Sequence, residues 1–211
     1  MGRRRAERTG ERRRSRAGTA GAAGLMALAV LAACTGAGDG DGAGTETGSG
    51  EGGGNLVTGD GLPDVMAELN EVVGGDPTRY GDVSIYPEYA VVEAQDPEAL
   101  DHIDRYTWRD GEVGEPEPVH LSGPQEEVDL ELFPETNVPW DELPGWAERA
   151  EEATATNEPV AIEDPVASYI LVRRSFSDDR PITVSVYING PRRSGYVEFD
   201  TAGEIIMTNV S

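Results

Sequence analysis

The chain has 211 residues, of which 40 are acidic and 17 are basic, so its net charge at neutral pH is −23. A protein this negative repels the phosphates of nucleic acids, and we expect no nucleic-acid partner. Two histidines, one cysteine and no lysine leave few ligands for a zinc site and exclude a Ser-x-x-Lys nucleophile.

Residues 1–33 have the regions of a cleaved export signal. Eight arginines within residues 1–16 form a positive region, and residues 18–33 are uncharged around an apolar centre at 25–31. As a helix, this uncharged stretch reaches roughly 24 Å, less than the roughly 30 Å of hydrocarbon in a bilayer. A cleaved signal therefore fits better than a membrane-spanning helix, and either Sec or twin-arginine export remains open.

The single cysteine, Cys34, directly follows Leu31-Ala32-Ala33. These four residues resemble the lipobox of bacterial lipoproteins, and the lysine-free composition resembles that of actinobacterial proteins, with haloarchaeal lipoproteins as the alternative. The resemblance implies cleavage between Ala33 and Cys34, a diacylglyceryl group on the Cys34 thiol, and a place on the outer face of the cell membrane. Two acyl chains give stable membrane anchoring, whereas one chain does not.

Residues 34–61 are predicted to be a flexible tether. Glycine recurs throughout this stretch, and Leu56 and Val57 are its only large apolar residues. Such a segment buries too little surface to fold. Without residues 1–33, the chain keeps 9 basic and 38 acidic residues and a net charge of −29. We expect this charge to keep the folded part soluble and away from the lipid surface.

The folded part contains an internal repeat. Residues 60–66 and 141–147 share a helix-start pattern, with Asp60 or Asp141 suited to cap the helix and a proline near the first helical position. Apolar residues then recur at helical spacing. We predict one helix from residue 62 to the glycine pair at 74–75, and a second from residue 143 to about 154–157.

Sequence typical of β-strands follows each helix. The predicted strands are 82–86, 88–94, 102–109 and 118–121 after the first helix, and 166–174, 181–189, 195–200 and 204–210 after the second. Residues 128–132 alternate apolar and acidic side chains and are predicted to form a further edge strand. In aligning the copies, we match 89–92 with 169–172 and 105–113 with 195–205.

The short links between the strands favour antiparallel pairing. The predicted fold class is α+β: two α-β-β-β(-β) units, at 62–127 and 128–211, expected to pack as one domain. This arrangement is similar to tandem PepSY-type and β-lactamase-inhibitor-type domains.

Five of the nine basic residues that follow the signal lie within 21 positions: Arg173, Arg174, Arg180, Arg192 and Arg193. They are a candidate anion or partner patch, because guanidinium groups bind carboxylates and phosphates. The alternative is that they neutralise nearby acids of the same domain. Among the aromatic residues, Trp140 is a candidate surface residue, whereas Tyr106, Trp108 and Trp146 are predicted to pack in the core.

The sequence contains no motif of a catalytic nucleophile, and His102 and His120 lack the spacing of metal ligands. We therefore expect no catalytic residues, no metal and no cofactor. The predicted function is a non-catalytic module that binds a protein or peptide in the cell envelope. The alternatives are an envelope hydrolase that uses paired carboxylates, and a PepSY-like inhibitor or chaperone. Converging buried acids would favour the hydrolase, and a flat, open sheet face lined by exposed aromatic residues would favour binding.

Overall fold

The computed structural model describes residues 54–177 and 179–211. The signal segment, Cys34 and the tether up to residue 53 lie outside these residues, and what the sequence implies for them stays a prediction.

The described chain contains three α-helices and ten strands. In chain order they are α1 (Leu62–Val73), β1 (Arg79–Ile85), β2 (Tyr89–Gln95), β3 (Ile103–Arg109), β4 (Glu112–Val113), β5 (Glu117–Pro118), α2 (Gln125–Glu131), β6 (Phe133–Pro134), α3 (Leu143–Ala155), β7 (Val166–Arg174), β8 (Ile182–Asn189), β9 (Ser194–Phe199) and β10 (Ile205–Val210). A 3-10 turn follows β6 at Glu135–Asn137. The predicted α+β class is confirmed. None of these helices has the length and apolarity of a membrane span.

The helices α1 and α3 begin where the repeated pattern predicts. Pro63 and Pro144 lie in their first turns, where a missing N–H removes one of the donors that would otherwise need a partner. The predicted aspartate caps are wrong. The N-cap residues are Gly61 and Glu142, and neither helix has a side-chain cap bond.

The strands form one antiparallel sheet in the order β10-β9-β8-β7-β1-β2-β3-β4, with β5 paired to β3 and β6 to β1. The order is symmetric about the pairing of β1 with β7, in which Val83 lies opposite Val172 and Ile85 opposite Ile170. The strands β1, β2, β3 and β4 therefore correspond to β7, β8, β9 and β10. Buried residues alternate with more exposed ones along much of β1, β2, β3, β7 and β9, as two-residue periodicity requires, whereas β10 has no buried residue.

This symmetry tests the two alignments made from the sequence. The match of 105–113 with 195–205 agrees with it, because β3 and β9 both lead into turns with a positive-φ glycine, Gly111 at 82° and Gly203 at 79°. The match of 89–92 with 169–172 is wrong, because it aligns β2 with β7. Strands of one sheet share a similar alternation of side chains, so a local resemblance does not identify counterparts.

Both long helices cover the same face of the sheet. The indole N–H of Trp108 on β3 donates to Glu68 Oε2 on α1 at 2.6 Å, and Trp146 on α3 stacks on Phe199 of β9 with centroids 5.5 Å apart. The two helices and the sheet face that they cover contribute to a single buried apolar cluster. Tyr106, Trp108 and Trp146 are buried, as predicted.

The segment at 128–132 differs from its prediction, because most of it belongs to helix α2 and not to an edge strand. In the alternating pattern of this segment, Val128 and Leu132 are four residues apart, and this spacing also fits one face of a helix. Pro124 directly precedes the helix. The predicted strand at 118–121 is reduced to β5, which ends at Pro118.

Trp140 also differs from its prediction, because it is buried and not at the surface. Its indole N–H donates to the Glu135 carbonyl at 3.1 Å, and its ring meets the ring of Tyr80 edge-on at 6.3 Å. Because the indole N–H has a backbone acceptor in the preceding turn, the side chain can be buried without leaving a hydrogen-bond donor unpaired.

The predicted tether also extends too far toward the folded part. Leu56 and Val57 are buried in the core, and the Val57 amide donates to the Asn55 side chain at 2.9 Å. Burial of these two apolar side chains against the core stabilises the segment, so residues 55–61 fold into turns despite their glycines.

Candidate binding face

The sheet face opposite the helices carries three rows of side chains that run across the strands. They are named here the tyrosine row, the middle row and the charged row. Each row follows from the strand register, because residues directly opposite one another in an antiparallel pair have Cβ atoms about 4.5–5.5 Å apart.

The tyrosine row crosses five adjacent strand positions. Its members are Tyr89 on β2, Tyr86 directly after β1, Tyr169 on β7, Tyr187 on β8 and Tyr196 on β9. Tyr169 lies opposite Tyr187, and Tyr187 opposite Tyr196. Along the row, the ring centroids are 4.4, 5.3, 4.2 and 5.5 Å apart. All five side chains are half-buried.

The rings of this row stack against one another. The planes of Tyr169 and Tyr187 differ by only 9°, and Arg109 places its guanidinium carbon 4.3 Å from the ring centre of Tyr89 at one end. At the other end, the Tyr196 hydroxyl lies 3.9 Å from Met207 Sδ. Because the inner rings use their faces against neighbours, a ligand meets mainly ring edges and hydroxyl groups. Burial, followed by the nearby Tyr187, raises the pKa of Tyr169 to about 12, so its hydroxyl keeps its proton at neutral pH.

The middle row runs beside the tyrosines and consists of shorter side chains. Its members, each opposite the next in register, are Thr107, Val91, Ser84, Leu171, Ser185, Glu198 and Met207. Serine beside tyrosine creates a step in the surface. A depression of about 240 Å³ lies at this step, lined by Thr183, Ser185, Tyr187 and Tyr196 among others. A second depression, of about 560 Å³, lies on the far side of Tyr187 and Tyr196.

The charged row consists of Arg105, Glu93, Asp82 and Arg173. Arg105 donates to Glu93 at 2.6 Å, and Asp82 lies opposite Arg173 in register. Burial raises the pKa of the Asp82 carboxyl, and the charges of Glu93 and Glu131 add to this, whereas Arg173 opposes it. Each acid of this row therefore has an arginine beside it.

The helix α2 and the segment before it flank part of the charged row. A cavity of about 390 Å³ lies between them, lined by Asp82, Glu93, His120, Leu121 and Phe176 among others. His120 and His102 are both exposed. Among residues 54–177 and 179–211, no group of three or more His, Cys, Asp or Glu side chains is arranged to hold a metal ion.

The structure does not bring the five predicted arginines together. Arg173, Arg174 and Arg180 lie where β7 leads into β8, whereas Arg192 and Arg193 lie at the opposite end of β8. Arg174 donates to the carbonyls of Leu132 and Arg180, and Arg180 forms an ion pair with Glu131 on α2. These contacts fit the alternative of local neutralisation for Arg180. Arg192 and Arg193 are exposed in their loop.

Sequence reasoning missed the tyrosine row. The signal was a tyrosine next to a buried aliphatic residue in several strands, as in Tyr169-Ile170, Val186-Tyr187 and Tyr196-Val197. Only the strand register shows that these tyrosines are neighbours.

No protein family and no curated protein sequence matches the chain. Among solved structures, the fold is similar to the crystal structure of a candidate lipoprotein from Clostridium difficile 630, with a TM-score of 0.51 and 10% sequence identity. The similarity covers 74% of this chain and 99% of that chain. At this identity, the likeness shows a shared fold.

Proposed function

We propose that the protein is a lipoprotein anchored to the outer face of the cell membrane, and that its open sheet face binds a polypeptide of the envelope without catalysis. Leu31-Ala32-Ala33-Cys34 supports the anchor, and the fold shared with a candidate lipoprotein of Clostridium difficile 630 agrees with it. The observation that carries the binding role is the tyrosine row beside the lower middle row.

The dimensions of the tyrosine row suit an extended segment. Five neighbouring strand positions span roughly 19 Å at a strand spacing of about 4.8 Å. An extended chain covers this distance with about six residues. Apolar side chains of such a segment would fit the step between the rows, and its backbone groups would bond to tyrosine and serine hydroxyls.

Ring orientation favours a polypeptide over a sugar or a nucleobase. A flat ligand ring binds by stacking on an open aromatic face. In this row, the neighbouring tyrosines, and Arg109 over Tyr89, occupy ring faces. An inhibitor or a chaperone would use the same face and would differ only in which polypeptide it takes.

The charged row supports the hydrolase alternative less well. A pair of catalytic carboxyls needs one group free to give and take a proton. Here Glu93 is held in an ion pair with Arg105, so Asp82 is left without a second free carboxyl in this row.

Photo-crosslinking tests the binding face in cells that express the full chain. Benzoylphenylalanine replaces Tyr196 in the tyrosine row or, as the matched control, Val72, which is 53% exposed on α1. We expect light to attach one polypeptide at position 196 and none at 72, with mass spectrometry identifying the adduct. In the same background, Tyr187→Ser should lower the yield roughly tenfold, as loss of a hot spot does, and Tyr187→Phe, which keeps the ring and loses only the hydroxyl, should lower it by less. Equal adducts at both positions, or no adduct at 196, would contradict the binding role.

The anchor is tested separately. Cells grown with a clickable palmitate analogue should label the wild-type protein and leave Cys34→Ser unlabelled. If neither form carries label, the lipoprotein assignment is wrong, whereas the crosslinking result stands independently of it.

A further inference from the structure

The two edges of the sheet differ in how well they are protected. On the β10 edge, the six residues from Ile205 to Val210 contain no charged side chain, and Ile206 is 52% exposed. A strand that pairs on one side only leaves every second N–H and C=O free along the other side. A long, uncharged and apolar edge of this kind favours pairing with another strand.

The opposite edge has the features that prevent such pairing. Its strands β4 and β5 have two residues each, and the segment contains Glu112, Glu115 and Glu117 together with Pro116 and Pro118. Short strands, proline and charge are the usual protection of a sheet edge. The β10 edge lacks all three.

Charges of opposite sign lie at the two ends of β10. Its C-terminal end lies beside the loop of Arg192 and Arg193, because the Ser211 amide donates to the Ser194 carbonyl at 3.0 Å and Val210 lies opposite Gly195. At its N-terminal end, β10 is directly preceded by Glu204, which is exposed. The strand therefore runs from a negative end to a positive end.

We propose that β10 pairs in an antiparallel orientation with β10 of a second copy of this chain. A two-fold axis near the middle of the strand places the N-terminal end of one β10 beside the C-terminal end of the other. Glu204 of each copy then meets the Arg192-Arg193 loop of its partner copy, twice per pair. This local complementarity offsets the mutual repulsion of two strongly negative proteins. The pairing does not depend on the binding role of the tyrosine row.

Cysteine crosslinking tests the pairing in membranes of cells that express the full chain. Met207→Cys and Thr208→Cys place a thiol near the proposed axis, where opposed Cα atoms are about 4.5–5.5 Å apart and within disulfide reach. The matched control on the same strand is Ile205→Cys, whose two copies would lie more than roughly 10 Å apart. The control on the protected edge is Glu112→Cys, and wild type, with Cys34 alone, gives the background.

We expect mild oxidation to produce a band of twice the monomer mass for position 207 or 208, and only background for 205 and 112. Adding Arg192→Glu and Arg193→Glu to the crosslinking variant should lower this band roughly tenfold, since attractive charge pairs become repulsive ones. Adding Glu204→Arg as well should restore it to within about twofold, because the charges are then exchanged.

Three results would overturn the proposal. They are equal crosslinking at 205 and 207, a charge exchange without effect on the band, and a disulfide from position 207 to a different polypeptide. The third result would assign the edge to another partner.

Discussion

The two halves of the sheet have the same order of elements and end differently. The first half, α1 with β1 to β3, closes with the two-residue strands β4 and β5, after which the chain passes through α2 along the charged row. The second half, α3 with β7 to β9, closes with the full strand β10. The last strand of each copy is therefore the place where the two halves differ. One copy ends in a connection, and the other ends in an open edge.

The halves also differ in how each helix contacts the sheet. In the first half, the contact at the end of the sheet is a hydrogen bond from Trp108 to Glu68 of α1. In the second half, Trp146 of α3 stacks on Phe199 of β9. Paired substitutions in the two halves test whether these contacts have the energies that their chemistry implies.

The largest effect is expected for Trp146→Ala. Removing a buried tryptophan leaves a cavity beside Phe199 and should lower the free energy of unfolding by about 3–5 kcal/mol. Urea unfolding followed by circular dichroism measures this loss. Because both halves share one apolar cluster, we expect a single transition at lower urea. Two separate transitions, with the first half unchanged, would show that the halves are stabilised independently.

The counterpart glycines Gly203 and Gly111 give a matched pair. Both have a positive φ, so alanine is strained at either position by about 1 kcal/mol. A Cβ at 203 would also lie 3.0 Å from the Trp146 ring, whereas at 111 it would meet nothing within 4 Å. We expect Gly203→Ala to cost about 2 kcal/mol and Gly111→Ala about 1 kcal/mol in thermal unfolding. Equal losses would contradict the close packing of the 203 turn against α3.

Trp108→Phe tests the polar contact of the first half. The change keeps an aromatic ring but removes part of its volume together with the indole N–H that bonds to Glu68, which should cost about 1–2 kcal/mol in urea unfolding. Glu68→Gln is the control, because its amide oxygen still accepts the bond and the loss should be smaller. If both variants match wild type, the hydrogen bond contributes nothing measurable.

The smallest effect is expected for Asp82→Asn, and it depends on pH. The pKa of this carboxyl is raised from 3.8 in the folded state, so folding favours its protonated form. Its favourable contribution is present below pH 3.8 and is lost as the pH rises through the folded pKa. Asp82→Asn should therefore raise the midpoint of thermal unfolding at pH 7 and leave it unchanged near pH 3. A lower midpoint at pH 7 would mean that the attraction to Arg173 outweighs burial.

Local sequence patterns predicted the bounds of helices and strands well where a clear start or stop signal was present, and failed where a segment fitted two patterns or depended on a distant turn. Strand β7 was predicted with its observed bounds, because an apolar run ends at Arg173-Arg174, and α1 was limited by Pro63 and Gly74. Helix α2 was missed because Val128 and Leu132 satisfy both a strand and a helix period. Trp140 was placed at the surface because its acceptor, the Glu135 carbonyl, is set by a turn that the sequence did not predict.

The candidate site could not be predicted without the pairing and register of the strands. That Tyr169 lies opposite Tyr187 is known only once β7 and β8 are in register, and a shift of one residue would turn the tyrosines to the other face. The arginines show the same limit. Arg180 and Arg192 are 12 positions apart in sequence, and strand β8 separates them.

The burial of Leu56 has a mechanical consequence. The Leu56 amide donates to the carbonyl of Pro87, the residue directly after Tyr86, at 3.0 Å. Tension applied to the chain from its N-terminal side would therefore act first on the turn between β1 and β2. This turn contains Tyr86, whose ring stacks on Tyr89 of the first half and on Tyr169 of the second. Under the proposed function, a pull transmitted from Cys34 and a polypeptide bound to the sheet would thus act on adjacent residues.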